Sequence, residues 1–314
     1  MTSLTEPLSY SPEEVAKILK ISKGTVYDLL KRGELPSYRI GKKLRVAPAD
    51  LEAYTRPAYG AGQRPTSAPP MSVEKLILDN HGLIICGQDI VLDVLSRHIE
   101  SGYPGVRSLR SYIGSLDGLL ALYRGTANVA AAHLWDGETD EYNLPYVRRL
   151  LPGQRSVVVG LVFRQQGLYV APGNPKGIVS WESLLEPGIT IANREKGSGT
   201  RIMLDEWLRG KQLEPERIQG YEHEELSHIA VASAVARGLA DTGLGTEKAA
   251  EQVSGVDFIP LKKERYDLVF DRKDMDKPAF RALLAVLRSP EFKHEVAGLG
   301  GYDVSLCGEI VGEV

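Results

Sequence analysis

Three places in this 314-residue chain bring glycine, hydroxyl and charge together where an apolar run gives way to a helical one. The richest is Asn193-Arg194-Glu195-Lys196-Gly197-Ser198-Gly199-Thr200-Arg201. Its glycines let the backbone approach a ligand closely, Ser198 and Thr200 add hydroxyl donors, and Arg201 adds a fixed cation. The second is Ile113-Gly114-Ser115-Leu116 and the third Cys86-Gly87-Gln88-Asp89. At a helix start the first N–H groups have no intrahelical partner and the dipole is positive, so such junctions favour anions. Three of them facing one cleft would suit a small oxyanion held by neutral donors and Arg201.

Each junction also has a plainer role. Gly114-Ser115 can serve only as a helix cap, and Asp89 can cap its own helix, where its carboxylate would repel an anion. His133 reads as a satisfied buried histidine, with a place in the cleft as the alternative. Glu222, His223, Glu224, Glu225 and His228 read as a solvated helix start, with metal binding as the alternative. No Ser-His-Asp order, paired-carboxylate spacing or metal motif occurs, so the chain reads as a non-enzyme with no catalytic cofactor. Cys86 and Cys307 offer neither a disulfide framework nor metal-ligand spacing.

The elements that position these junctions alternate in a βα rhythm. Leu83 to Cys86, Ser108 to Ile113 and Asn128 to Ala132 read as strands, with helices over Asp89 to Ser101 and Ser115 to Tyr123 between them. That pattern predicts a mostly parallel sheet covered on both faces. Ser156 to Val170, a long apolar run, reads as a crossover between two lobes. A second series follows, with strands at Ile189 to Ala192, Gly220 to Glu222 and Leu239 to Asp241, and helices from about Thr200 and Ser227. The chain then returns through Val256 to Pro260 and ends in helices near 278–287 and 290–297. The expected body, residues 72–314, is therefore two-lobed α/β, with lobe I at about 72–160 plus 255–314 and lobe II at about 161–254. Such hinged bodies trap ligands between their lobes.

Ahead of it lies a different kind of sequence. Ser11 reads as an N-cap with Pro12 at the first helical position and Glu14 three residues on; Val15, Ile18 and Leu19 fall on one face. Ser22 caps a second helix to about Arg32, closed by Gly33. Two short helices so joined make a helix-turn-helix, with Lys23, Thr25, Tyr27, Asp28 and Lys31 on the open face of the second. Tyr38 to Val46 then folds as a hairpin wing whose Arg39, Lys42, Lys43 and Arg45 can reach phosphate or a minor groove, and Pro48 starts a third helix. Residues 1–56 form this winged head. Residues 57–71, rich in Pro, Gly, Ala and Ser, form a linker.

Charge divides along the same boundary. The chain carries a formal −3, but residues 1–56 hold 10 Lys+Arg against 7 Asp+Glu, and the rest 28 against 34. A basic head on an acidic body confines nucleic-acid affinity to the head. The N-terminus lacks the basic and apolar regions of a secretory signal, and no apolar run approaches a membrane span, so a cytoplasmic protein without a membrane partner is expected.

The run YSPEEVAKILKISKGTVYDLLKRGELPSYRIGKKLRV closely resembles the excisionase-like DNA-binding family, also called MerR-like or HTH_17. The segments GSLDGLLALYRGTANVAAAHLWDGETDEYNLPYV, RQQGLYVAPGNPKGI, NREKGSGTRIMLDEWL, GYEHEELSHIAVASAVARGLADTGLGTEKAA and FIPLKKERYDLV resemble cytoplasmic domains of the periplasmic-binding-protein-like class, related to molybdate and tungstate binders. These likenesses imply a winged helix-turn-helix on a type II periplasmic-binding fold, with double-stranded DNA and a molybdate- or tungstate-like effector as partners. They point to Ser115, Ser198, Thr200, Arg201 and Ser233 as ligand positions, beside Gly199. The first junction departs from that pattern, reading Cys-Gly-Gln-Asp without the hydroxyl pair of molybdate binders. The expected protein is a transcriptional regulator acting as a homo-oligomer on repeated half-sites. The alternatives are the same regulator sensing a small organic carboxylate, and an architectural excisionase-like factor.

Overall fold

A computed structural model describes residues 9–32, 35–41, 43–55 and 82–314. Gly33, Lys42, the N-terminal eight residues, the linker and the first residues of the body lie outside them. The head and the body are separate compact units.

In the head, helices span Pro12–Leu19, Lys23–Lys31 and Pro48–Thr55, with strands β1 (Tyr38–Ile40) and β2 (Lys43–Arg45) paired antiparallel. Both expected caps form. Ser11 Oγ accepts the Glu14 N–H while Glu14 Oε2 accepts the Ser11 N–H at 2.7 Å, a complete capping box. Ser22 Oγ accepts the Thr25 N–H at 3.1 Å. Val15, Ala16, Val26, Leu29, Leu35, Val46 and Leu51 make the core. One expectation fails: Ile18 is 49% exposed. The buried stripe runs through Pro12, Val15 and Ala16 to the partly buried Leu19, at spacings of three and four, which leaves Ile18 on the flank.

The body holds strands β3 (Gly82–Cys86), β4 (Arg107–Ser111), β5 (Val129–Ala132), a hairpin of β6 (Trp135–Asp136) and β7 (Glu141–Tyr142), β8 (Ser156–Val170), β9 (Ile191–Arg194), β10 (Glu224–Glu225), β11 (Thr242–Thr246), β12 (Asp257–Asp271), β13 (Tyr302–Asp303) and β14 (Ile310–Glu313). The main sheet runs β10-β9-β11-β8-β12-β5-β3-β4, with β13 and β14 also on β8. It is mixed, where the sequence rhythm suggested mostly parallel. Pairing is parallel inside each lobe, but β8 and β12 run antiparallel to each other and to their neighbours.

The reason is the length of β8 and β12, 15 residues each. Their outer halves belong to opposite lobes, and they pair from Asp257↔Val170 to Asp271↔Ser156 with register shifts at Pro260/Lys262 and Tyr266/Asp267. The return to lobe I therefore happens midway along β12, near Glu264, later in the chain than the run Val256 to Pro260 suggested. Each lobe has its own apolar core. In lobe I, Leu83, Ile85, Leu95 and Phe280 pack together, and in lobe II Leu168, Ile191, Leu204 and Leu244 do. The helices that matter for the cleft are Val91–Gly102 and Ser115–Tyr123 in lobe I, and Gly199–Gly210 and His228–Ala236 in lobe II.

Candidate ligand cleft and nucleic-acid face

The starts of the Ser115–Tyr123 and Gly199–Gly210 helices meet across the lobes. Leu116 N–H donates to the Gly197 carbonyl at 3.0 Å, and Gln88 bridges to Arg194 (2.7 Å) and Glu195 (3.3 Å). Glycine makes this approach possible. A Cβ on Gly114 would lie 2.9 Å from the Gly197 oxygen, and one on Gly199 would lie 2.6 Å from the His133 ring. Between these helix starts lies a small cavity of about 20 Å³, in a measure where one water needs roughly 10–15 Å³.

Its wall contains Gln88, Asp89, Gly114 and Ser115 from the first two junctions, and Ser198 and Gly199 from the third. Ser115 Oγ accepts the His133 N–H at 3.4 Å and Ser198 Oγ accepts the Arg201 N–H at 3.2 Å. Each hydroxyl proton is thus left to donate into the cavity. Thr200 is buried beside Gly199 but holds Gln166 Nε2 at 3.0 Å and does not line the cavity. Ser233 sits further along its helix, away from the wall.

Arg201 departs most from expectation. Its guanidinium turns from the cavity onto the Arg194 carbonyl (3.1 Å), Glu224 (3.4 Å), Asp205 (3.3 Å) and the face of Tyr221. At the third helical position a long side chain folds back over the preceding turn, so it braces the loop rather than the ligand. The cations on the cavity wall are Arg164 and Arg194, which sequence reading did not select.

Arg164 comes from β8 and faces Glu264 directly in the β12 ladder. It is buried, ion-paired with both Asp89 and Glu264, and stacked 4.3 Å from the centroid of the Tyr266 ring. Arg194 ends β9 and pairs with Glu195 at 2.7 Å. Nη2 of Arg164 and Nη1 of Arg194 have no partner among the described residues. Burial pushes the Glu264 carboxyl up, but Arg164 and His133 outweigh it and hold it below the usual carboxylate range.

Two histidines complete the wall. His133 is both things the sequence allowed: buried and bonded to Glu264 (Nδ1 to Oε2, 2.8 Å), and a cavity residue. His228 opens its helix beside Ser227, and its Nδ1 is buried without a partner among the described residues. Burial lowers the pKa of both rings, and the neighbouring arginines add to that. Glu222 and His223 are exposed away from the cavity, and no group of three or more His, Cys, Asp or Glu capable of holding a metal occurs among the described residues.

A signal for Arg164 was present. A charge inside the apolar run VVVGLVFRQQGLYV must be buried and therefore paired, and Glu264 holds the equivalent place in the other long strand.

On the head, Lys23, Thr25, Tyr27 and Lys31 are exposed along the second helix, and Arg39 and Lys43 along the wing. Lys23 ion-pairs with Glu13, and the half-buried Arg45 lies 3.8 Å from Glu14. Tyr27, Arg39, Lys43 and Arg45 line one groove together with Glu13 and Glu14. Lys42 lies outside the described residues.

The family model described as PBP superfamily domain matches residues 96–288, and the one described as Helix-turn-helix domain matches residues 9–57. The YvgK protein of Bacillus subtilis (strain 168) is 41% identical over 309 residues, covering 98% of this chain and 99% of that protein. A Clostridium perfringens phosphate ABC transporter substrate-binding protein with bound phosphate superposes with a TM-score of 0.52 at 15% identity, covering 69% of this chain and 97% of that one. EhuB in complex with hydroxyectoine gives 0.52 at 12% identity, covering 74% and 93%. These structural likenesses carry the fold alone. No helix among the described residues is long and apolar enough to cross a membrane.

Proposed function

Because the chain belongs to the PBP superfamily domain family and carries a helix-turn-helix domain at its N-terminus, we propose that it is a DNA-binding regulator whose body senses a small oxyanion, molybdate or tungstate first among candidates. The observation that carries this reading is the cavity between the lobes. Two helix starts from opposite lobes, two hydroxyls and two arginines converge on one small space between the lobes. Both helices exceed two turns, so each turns the positive end of its dipole toward the cavity, with Leu116 N–H already given to the Gly197 carbonyl and Arg201 N–H to Ser198 Oγ. The phosphate bound by a neighbour of the same fold is a ligand of this kind.

The ligand bridges the lobes, stabilises their closure and so biases the DNA-binding state. The head docks its second helix in the major groove, with Lys23, Thr25, Tyr27 and Lys31 facing the duplex. Arg39, Lys42, Lys43 and Arg45 hold phosphate, and copies of the chain pair on repeated half-sites.

A second reading has its own support. A larger groove of about 240 Å³, lined by Ile90, Ile229, Ala249 and Lys248 among others, shares Gln88, Asp89 and His228 with the cavity. An organic carboxylate could lay its body there and its anion on the arginines.

Thermal unfolding separates these readings. A ligand at 100 times its dissociation constant stabilises by about 2.7 kcal/mol, or roughly 5–11 °C for a domain of this size. Molybdate and tungstate are expected to give that shift. Shifts with carboxylates alone would favour the organic effector, and no shift with molybdate, tungstate, sulfate or phosphate would overturn the oxyanion reading.

A further inference from the structure

We propose that His133 determines specificity in the cleft, and that a fully deprotonated oxyanion binds there together with one proton taken up on His133 Nε2. The proposal rests on the oxyanion reading and deepens it.

Glu264 sets the tautomer of the ring. Its Oε1 accepts from Arg164 Nε and from Gln166 Nε2 (3.1 Å), and its Oε2 faces His133 Nδ1 at 2.8 Å. A carboxyl so held is ionised and can only accept, which puts the imidazole proton on Nδ1. The neutral ring then presents a lone pair at Nε2, since its one ring hydrogen bond among the described residues is made by Nδ1, and the ring lines the cavity. The ring is fixed in that pose. Gly199 lies against it so closely that an added Cβ would sit 2.6 Å from Cε1, and the Tyr266 ring packs edge-on with centroids 5.5 Å apart.

A lone pair aimed at an oxyanion oxygen repels it, whereas an N–H⁺ in the same place makes a charge-assisted hydrogen bond. The surrounding charges point the same way. Arg164 from β8 and Arg194 from β9 are the cations near the ring; Glu264 from β12, Asp89 bonded to Arg164, and Glu195 bonded to Arg194 are the anions. Of these, Asp89, Arg164 and Arg194 line the cavity, and Glu264 and Glu195 bond to wall residues from behind. With both histidines neutral the whole cluster is one negative charge in excess, and one added proton balances it. Ser115 and Tyr266, the other polar neighbours, are uncharged. His228 needs no such step, because its tautomer is not fixed by a carboxylate and its Nδ1 can donate while the ring stays neutral.

The sign follows. Burial, reinforced by Arg164, keeps the ligand-free ring below the ordinary histidine range despite Glu264, so it is neutral at neutral pH. The bound dianion raises that pKa, so affinity rises as pH falls between the two values. Hydrogen phosphate brings its own proton and can donate to Nε2, so its binding requires no uptake. The cleft thus sorts tetrahedral anions by protonation as well as by size.

The test is isothermal titration calorimetry of the whole protein with molybdate between pH 7 and 8.5, in buffers of different ionisation enthalpy. The expected result is uptake of close to one proton per anion, with affinity strengthening up to about tenfold per unit fall in pH. His133→Asn, if folded, is expected to bind more weakly and without that slope, while H228N weakens binding and keeps it. If H133N does not fold, the wild-type proton count decides alone. Wild-type binding with no buffer dependence and a flat pH profile would overturn the proposal and leave the oxyanion reading standing. Absence of molybdate, tungstate, sulfate and phosphate binding at every pH would overturn both.

Discussion

Replacing Arg164 by alanine is expected to lower the midpoint of thermal unfolding of the body by about 6–20 °C. Arg164 is buried where the two long strands cross, and its guanidinium is the partner of two carboxylates that are themselves nearly inaccessible, Asp89 and Glu264. Removing one member of such a cluster costs far more than the pair contributes when intact, because the remaining charges stay buried without compensation. That cost is about 3–5 kcal/mol for a broken buried pair, and each kcal/mol moves the midpoint by about 2–4 °C for 150–250 residues. Arg164→Lys recovers only part of it, since an ammonium is a point charge and cannot bond both carboxylates in the plane that also stacks on Tyr266. Scanning calorimetry of the wild type and both variants checks this. A midpoint within about 2 °C of wild type for the alanine variant would mean that the cluster does not hold the hinge together.

Gly114→Ala tests closure rather than folding. Gly114 has an extended backbone (φ −66, ψ 167) that any residue adopts, so the substitution strains neither its own lobe nor its helix start. The new methyl would instead press on backbone of the other lobe, 2.9 Å from the Gly197 oxygen and 3.1 Å from the Ser198 Cα. Backbone cannot swing aside as a side chain does, and overpacking of this kind costs about 1–3 kcal/mol. A conformation with the lobes apart would avoid the clash; the arrangement in which Leu116 N–H bonds the Gly197 carbonyl does not. The expected outcome is an oxyanion affinity about 5–150-fold weaker, with the unliganded unfolding midpoint changed by much less. Calorimetric titration reads the affinity. Unchanged affinity would show that the cavity binds without the lobes meeting at Gly197.

Local features of this chain were legible before its structure. Ser11 and Ser22 announced their helices, the helix over Ser115 to Tyr123 falls where its glycine and serine place it, and the apolar run Ser156 to Val170 is a single strand crossing both lobes. Caps and periodicity are decided within a few residues, so sequence alone displays them.

What depended on pairing at a distance was not legible. Arg164 and Glu264 are 100 positions apart and meet only because β8 and β12 pair antiparallel, with the two residues opposite each other between two register shifts. Arg201 and Arg194 are seven positions apart in one glycine-rich loop, yet the strand residue reaches the cavity and the helical one braces the loop behind it. Residue type cannot separate those roles; side-chain direction from strand and helix does. The short hairpin of β6 and β7 escaped for a related reason: two-residue strands carry no period to detect.

The proposed coupling between an oxyanion in the body and DNA on the head is open to direct measurement. A DNA fragment selected in vitro for binding to the whole protein is titrated at fixed ionic strength, with and without saturating molybdate or tungstate. Constant salt matters because phosphate contacts make every such affinity salt-dependent. The account predicts that the oxyanion changes DNA affinity by about 5-fold or more, the range of ordinary coupling free energies. Equal DNA affinities in the two conditions, with the body shown to be saturated, would contradict it.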